Sequence, residues 1–113
     1  MKFHQFLYHV IYSALPKIIA AANKGSVITK DYAVNILINL CSIKQYAGNS
    51  FSQLIEQLLS SPANQLPIYA EKAIPVINDK NKMLFIKTLV LRLGDADKDT
   101  KRKRIEKVIK KVS

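Results

Sequence analysis

A chain of 113 residues is the size of one ordinary domain, and with 49% hydrophobic and 23% charged residues it is composed to fold rather than to stay disordered. One cysteine, Cys41, excludes an intrachain disulfide framework, so a reducing, cytoplasmic setting is expected. Lys and Arg number 18 against 8 acids, a formal charge of +10, which favours an anionic partner; in a chain this rich in Lys, Asn and Ile, the competing explanation is that many lysines are merely solvated.

The first segment, MKFHQFLYHVIYSALPKIIAAAN, has the order of a secretory leader: a lysine, an apolar run and the small triplet Ala20-Ala21-Ala22. His4, Gln5 and His9 interrupt the run and Lys17 lies near the would-be cleavage site, so a helix from about Phe3 to Ala22, bent or split at Pro16, is the better reading. Asn23-Lys24-Gly25 supplies its stop. Thr29 is expected to cap a second helix that runs to about Ala47 and ends at Gly48. The S-x-x-Q capping box Ser50-Phe51-Ser52-Gln53 predicts the start of a third helix, which ends before Pro62. Asn64 then caps a fourth with Pro67 in its first turn, and Pro75 ends it near Ile74. A fifth helix starts at Asp79 and closes at Gly94, and a sixth, capped by Asp95 or Asp97, fills the basic segment 98–113.

Tyr32, Val34, Ile36, Leu37, Ile38, Leu40, Cys41 and Ile43 surround most of the second helix, the pattern of a buried central helix. Its polar stripe Asp31, Asn35, Asn39, Ser42 reads as a solvent-facing edge. The fifth helix, with Met83, Leu84, Phe85, Ile86, Leu89, Val90 and Leu93, is nearly as apolar, and these two helices are expected to form the core. The fold class is therefore all-α, a single domain over 1–113 built as a compact bundle of five to six helices. A finer alternative comes from an echo at an offset of about 51 residues, in which Leu15-Pro16 and Leu66-Pro67 each open a helix. Two stacked three-helix units of the armadillo or HEAT kind would produce it.

Residues 98–113 hold 8 cations and 2 acids, so +6 of the net charge is concentrated there. On a helical wheel Lys103, Arg104, Lys107, Lys110 and Lys111 share an arc of about 120°, with Ile105, Val108, Ile109 and Val112 opposite. The expectation is a non-catalytic, nucleic-acid-associated module, RNA or DNA, whose last helix contacts phosphates through those five cations. Lys80, Lys82, Lys87 and Arg92 form a possible second patch. The competing reading is a solvated final helix, since acids near its start and lysines near its end are what the helix dipole favours. The alternative function is a protein-interaction module, with a helical groove for a partner or a self-associating surface. An exposed cluster of Phe3, Phe6, Tyr8 or Phe51 would favour it.

No stretch reaches the roughly 18 apolar residues of a membrane span, and the basic helix has no Trp or Phe on its apolar side, so a membrane partner is not expected. Asp95, Asp97, Asp99 and Glu106 match positions of a calcium loop, but Thr100 replaces its glycine and Lys101 to Arg104 would repel a dication. His4 and His9 are five apart and do not share a helix face. With no HExxH, CxxC, GxSxG or phosphate-loop pattern, and with Cys41 inside an apolar helix, no catalytic residue, metal or cofactor is expected. Tyr8 and Tyr12, four apart, could stack on bases but fit the boundary of a core equally well.

Overall fold

A computed structural model describes the backbone of residues 3–113 and the side chains from Phe6 onward; the Phe3 and His4 side chains lie outside the described residues. Among the described residues every regular element is helical. The α-helices are α1 (Phe3–Ser13), α2 (Leu15–Lys24), α3 (Val27–Cys41), α4 (Lys44–Ser60), α5 (Leu66–Ala73), α6 (Lys82–Arg92) and α7 (Asp99–Val112). One-turn 3-10 helices at Ile74–Val76 and Leu93–Asp95 follow α5 and α6. The seven α-helices exceed the expected five to six because the first predicted helix divides; the bounds of the next two also differ.

The division at Ala14 has a local cause. Pro16 sits in the first turn of α2, where its missing N–H costs nothing, and the Ala14 N–H is shared between the carbonyls of Val10 and Ile11. The second predicted helix ends early, at Cys41 rather than Ala47. The Ser42 hydroxyl donates to the Asn39 carbonyl at 2.6 Å, and the Ser42 and Ile43 amides make tight three-residue bonds to Asn39 and Leu40. Helix α4 then runs straight through Gly48 and Ser50, so neither the glycine stop nor the capping box operates. Tyr46, Phe51, Leu54, Ile55 and Leu58 form one buried stripe along α4, and each such side chain contributes about 1.5–3 kcal/mol on burial. A glycine in mid-helix costs only about 1 kcal/mol, so the stripe wins. Ser50 is fully buried in that stripe, and its hydroxyl has no hydrogen-bond partner among the described residues.

Other expected caps are also displaced. Ser26, Gln65, Asn81 and Lys98 occupy the N-cap positions of α3, α5, α6 and α7, none with a side-chain cap bond, in place of Thr29, Asn64, Asp79 and Asp95 or Asp97. Before α6 the turn is instead organised by Asn78, whose Oδ1 accepts from the amides of Lys80 at 2.8 Å and Asn81 at 3.1 Å.

The chain divides into two compact units, Met1–Phe51 and Ser52–Ser113, with the division inside α4. In the first, α2 packs on α3 and α1 on α2, and Leu15, Ala22, Ala33, Val34, Leu37 and Leu40 are buried. Gly25 makes the two-residue α2–α3 connection possible, because a Cβ there would sit 2.6 Å from the Ala21 carbonyl oxygen and 2.9 Å from the Thr29 Cβ. Tyr12 stacks on Tyr46 with ring centroids 4.4 Å apart, and the Tyr46 hydroxyl lies 3.4 Å from His9 Nδ1. In the second unit both α5 and α6 pack on α7, around Leu66, Tyr69, Ala70, Phe85, Leu89, Ile105 and Val108.

The two helices expected to make the core are less buried than their composition implied. Helix α3 buries Ala33, Val34, Leu37 and Leu40 but exposes Ile28 and Tyr32. Helix α6 buries Phe85, Thr88 and Leu89 and leaves Met83, Leu84, Val90 and Leu91 in solvent.

Candidate nucleic-acid interface

Helix α7 is oriented by its apolar positions. Ile105 and Val108 are buried and Ile109 and Val112 half-buried, which turns Lys103, Arg104, Lys107, Lys110 and Lys111 outward, all exposed. The outward cations are not equivalent. Arg104 reaches α5 and forks onto Glu71, with Nη2 2.6 Å from Oε1 and Nε 3.1 Å from Oε2. That bond holds the Glu71 carboxyl below the usual glutamate range and raises the guanidinium above its own, with the Lys107 charge adding to the first effect. Lys103, Lys110 and Lys111 make no ion pair among the described residues.

Two open depressions, each of about 280 Å³, flank this face. One is lined by Glu71, Ile74, Arg104, Lys107, Val108 and Lys111, the other by Ile74, Ile77, Asn78, Asp79, Lys82, Lys111 and Val112. Lys111 borders both, so Lys82 and the α7 lysines line adjoining surfaces. Lys82 lies 3.6 Å from Asp79, a pair in which Asp79 is almost fully exposed.

The rest of the suggested second patch is dispersed. Lys80 is exposed in the turn before α6, and Lys87 lies on the flank of α6 opposite Phe85 and Leu89. Arg92 is occupied elsewhere. Its Nη1 donates to the Leu58 carbonyl at 2.6 Å and the Leu59 carbonyl at 3.2 Å, Nη2 donates to the Ser61 carbonyl at 2.8 Å, and Nε pairs with Asp95 at 2.6 Å. Those carbonyls belong to the last turn of α4 and the residue after it, so Arg92 is a C-terminal cap supplied from another helix.

No protein-family model, curated protein or solved structure matches this chain.

The acids of the calcium-loop pattern are dispersed. Asp95 pairs with Arg92, Asp97 lies 3.6 Å from Lys101, and Asp99 opens α7. No group of three or more His, Cys, Asp or Glu converges among the described residues. Cys41 is half-buried, and burial pushes its thiol up to about 11, which keeps it protonated at neutral pH. Of the aromatic residues, Phe6 is exposed, Tyr8 half-buried and Phe51 buried, while one face of the Tyr12 ring is taken by Tyr46. No helix among the described residues is long and apolar enough to cross a membrane.

Three features escaped the sequence reading. The Arg92 cap and the Arg104–Glu71 fork join residues more than thirty positions apart, which no local spacing announces. Lys30, inside the apolar run of α3, is only 8% exposed, and its pKa is lowered by desolvation.

Proposed function

We propose that the protein is a non-catalytic binding module that holds nucleic-acid phosphates on the outer face of α7, in a cytoplasmic setting consistent with its single reduced cysteine. The observation that carries the reading is the grouping of Lys103, Lys107, Lys110 and Lys111 on one exposed face, with the helix anchored from behind by Ile105 and Val108. Four ammonium groups on a docked helix match a run of backbone phosphates and carry no sequence information, so binding is expected to be indifferent to base order. Lys82 extends the face past Lys111. Arg104 contributes by fixing α7 to α5, and Arg92 by closing α4.

The finer repeat reading, two three-helix units, is supported by α2 and α5: each opens on Leu-Pro with the leucine buried. Each is followed by two further helices, at offsets of 55 residues between the starts of α3 and α6 and of α4 and α7. The four extra residues are a net difference: the connection after α5 is six residues longer than that after α2, and α5 itself is two shorter.

Anisotropy titration of labelled single- and double-stranded RNA and DNA over a range of salt tests the function. With four phosphates neutralised, log affinity on duplex DNA should fall against log salt with a slope of about −3.6, and Lys107→Glu with Lys110→Glu should weaken all sequences alike. Unchanged binding in that double variant sinks the assignment. The second reading, a protein-interaction module, is favoured by the solvent-exposed aliphatic flank of α6.

A further inference from the structure

The flank of α6 that faces away from Phe85 and Leu89 is apolar where a surface helix is ordinarily polar. Met83 is 70% exposed, Leu91 65%, Val90 52% and Leu84 48%. On a helical wheel these four and Lys87 fall within about 120°. Their spacing is that of a helix-pairing seam: Met83 and Val90 are seven apart, Leu84 and Leu91 are seven apart, and Lys87 lies between them at steps of four and three. A single lysine at the centre of such a seam sets register and partner choice, because it must meet an opposite charge once water is excluded.

We propose that this flank of α6 docks an amphipathic helix of another protein, one whose apolar stripe carries an acidic residue at its centre. The inference deepens the protein-interaction reading and is independent of α7. Charge decides the occupant. Helix α6 contains no acid, and the chain carries +10. A second copy docked on this seam would bring lysine to lysine and one basic chain onto another, so self-association is opposed. Phosphates would leave the four aliphatic side chains facing charge. A membrane interface calls for aromatic residues at the apolar strip, and this strip holds none, while Lys87 lies inside it. Met83 to Leu91 spans about 12 Å, so three turns of a partner helix cover the seam. Arg92 holds the end of α4 against the end of α6, where Leu59 adds another exposed leucine.

The test uses the full chain and a display library of 16-residue helical peptides with a fixed apolar heptad stripe and a randomised central stripe position. Selection should enrich Asp and Glu at that position, and the Lys87→Glu protein should enrich Lys and Arg instead. A resynthesised binder should lose about tenfold in affinity for the M83S/L91S protein and also for K87E, at positions exposed enough that circular dichroism stays unchanged. The K107E/K110E protein should retain the peptide. The proposal is overturned if no acid is enriched or if binders are indifferent to M83S/L91S. It is equally overturned by a dimer in sedimentation equilibrium that L91S dissociates, or by adsorption to phosphatidylserine vesicles that M83S/L91S abolishes.

Discussion

Replacing Arg92 by alanine tests whether this residue is a structural cap or part of a binding face. Its side chain is only 12% exposed, and it holds the carbonyls of Leu58, Leu59 and Ser61, of which Leu58 and Ser61 belong to buried residues. A hydrogen bond from a charged donor contributes about 1.5–3 kcal/mol, and a buried carbonyl left without a donor costs about 1–3 kcal/mol. The Leu59 carbonyl can turn to water, and the Asp95 pair, more than half exposed on the acid side, adds little. The Leu58 and Ser61 bonds therefore dominate, and Arg92→Ala should cost about 3 kcal/mol, a large part of the 5–15 kcal/mol stability of an ordinary domain. Urea titration followed by circular dichroism at 222 nm reads this as a lowered midpoint. Arg92→Lys should recover only part of the loss, because an ammonium cannot span Leu58, Ser61 and Asp95 at once. A loss under about 1 kcal/mol, or full rescue by lysine, refutes the cap; a change in the salt slope of nucleic-acid binding without loss of stability would return Arg92 to the binding face.

Gly25→Ala should destabilise by about 1–3 kcal/mol in the same titration, since its Cβ would meet the Ala21 carbonyl. Gly48→Ala should stabilise by about 0.5–1 kcal/mol, because Gly48 is inside α4 with open space around it; equal effects at the two glycines would contradict the helix bounds given above. Glu71 has a folded pKa below its unfolded value, so its pair with Arg104 stabilises fully above the ordinary glutamate range and is lost as pH falls through the lowered value. Both side chains are more than 40% exposed, which limits the difference between wild type and Glu71→Gln to about 1 kcal/mol at pH 7. That difference should shrink on acidification below about pH 4, and growth instead would reverse the sign assigned here. Cys41 should react with iodoacetamide at pH 7.5 on the order of a hundredfold more slowly in the folded chain than in urea, measured by mass spectrometry, and equal rates would deny its desolvation.

The helical class was legible because three- and four-residue spacing of apolar side chains is a strong and local signal. The orientation of α7 was legible for the same reason: Ile105 and Val108 point in and the lysines out, as the wheel required. Helix ends were not. A cap is worth about 1 kcal/mol and competes with burial summed over a whole stripe, so Gly48 and Ser50 were overruled by Leu54, Ile55 and Leu58, while Ser42, read only as part of a polar stripe, ended α3. The exposure of α6 was illegible for another reason. Periodicity says that a flank is apolar, but the same Met83-to-Leu91 pattern is compatible with burial in its own core or against a second protein.

Within the candidate site the decisive distinction is between arginine and lysine. Both arginines in the two patches are bound to acceptors within the chain, Arg92 to carbonyls and Arg104 to a carboxylate in a two-bond fork. A planar guanidinium with several donors gains most from a fixed acceptor pair, whereas a lysine ammonium on a flexible stem keeps its hydration and stays mobile at the surface. The same +10 chain thus separates its cations into those that hold helices together and those that project from them. On the proposed face Arg104 differs from the four lysines, because two of its five N–H donors are already held by Glu71. A phosphate that took those two donors would have to displace Glu71, and only such a contact would set phosphate binding against the attachment of α7 to α5.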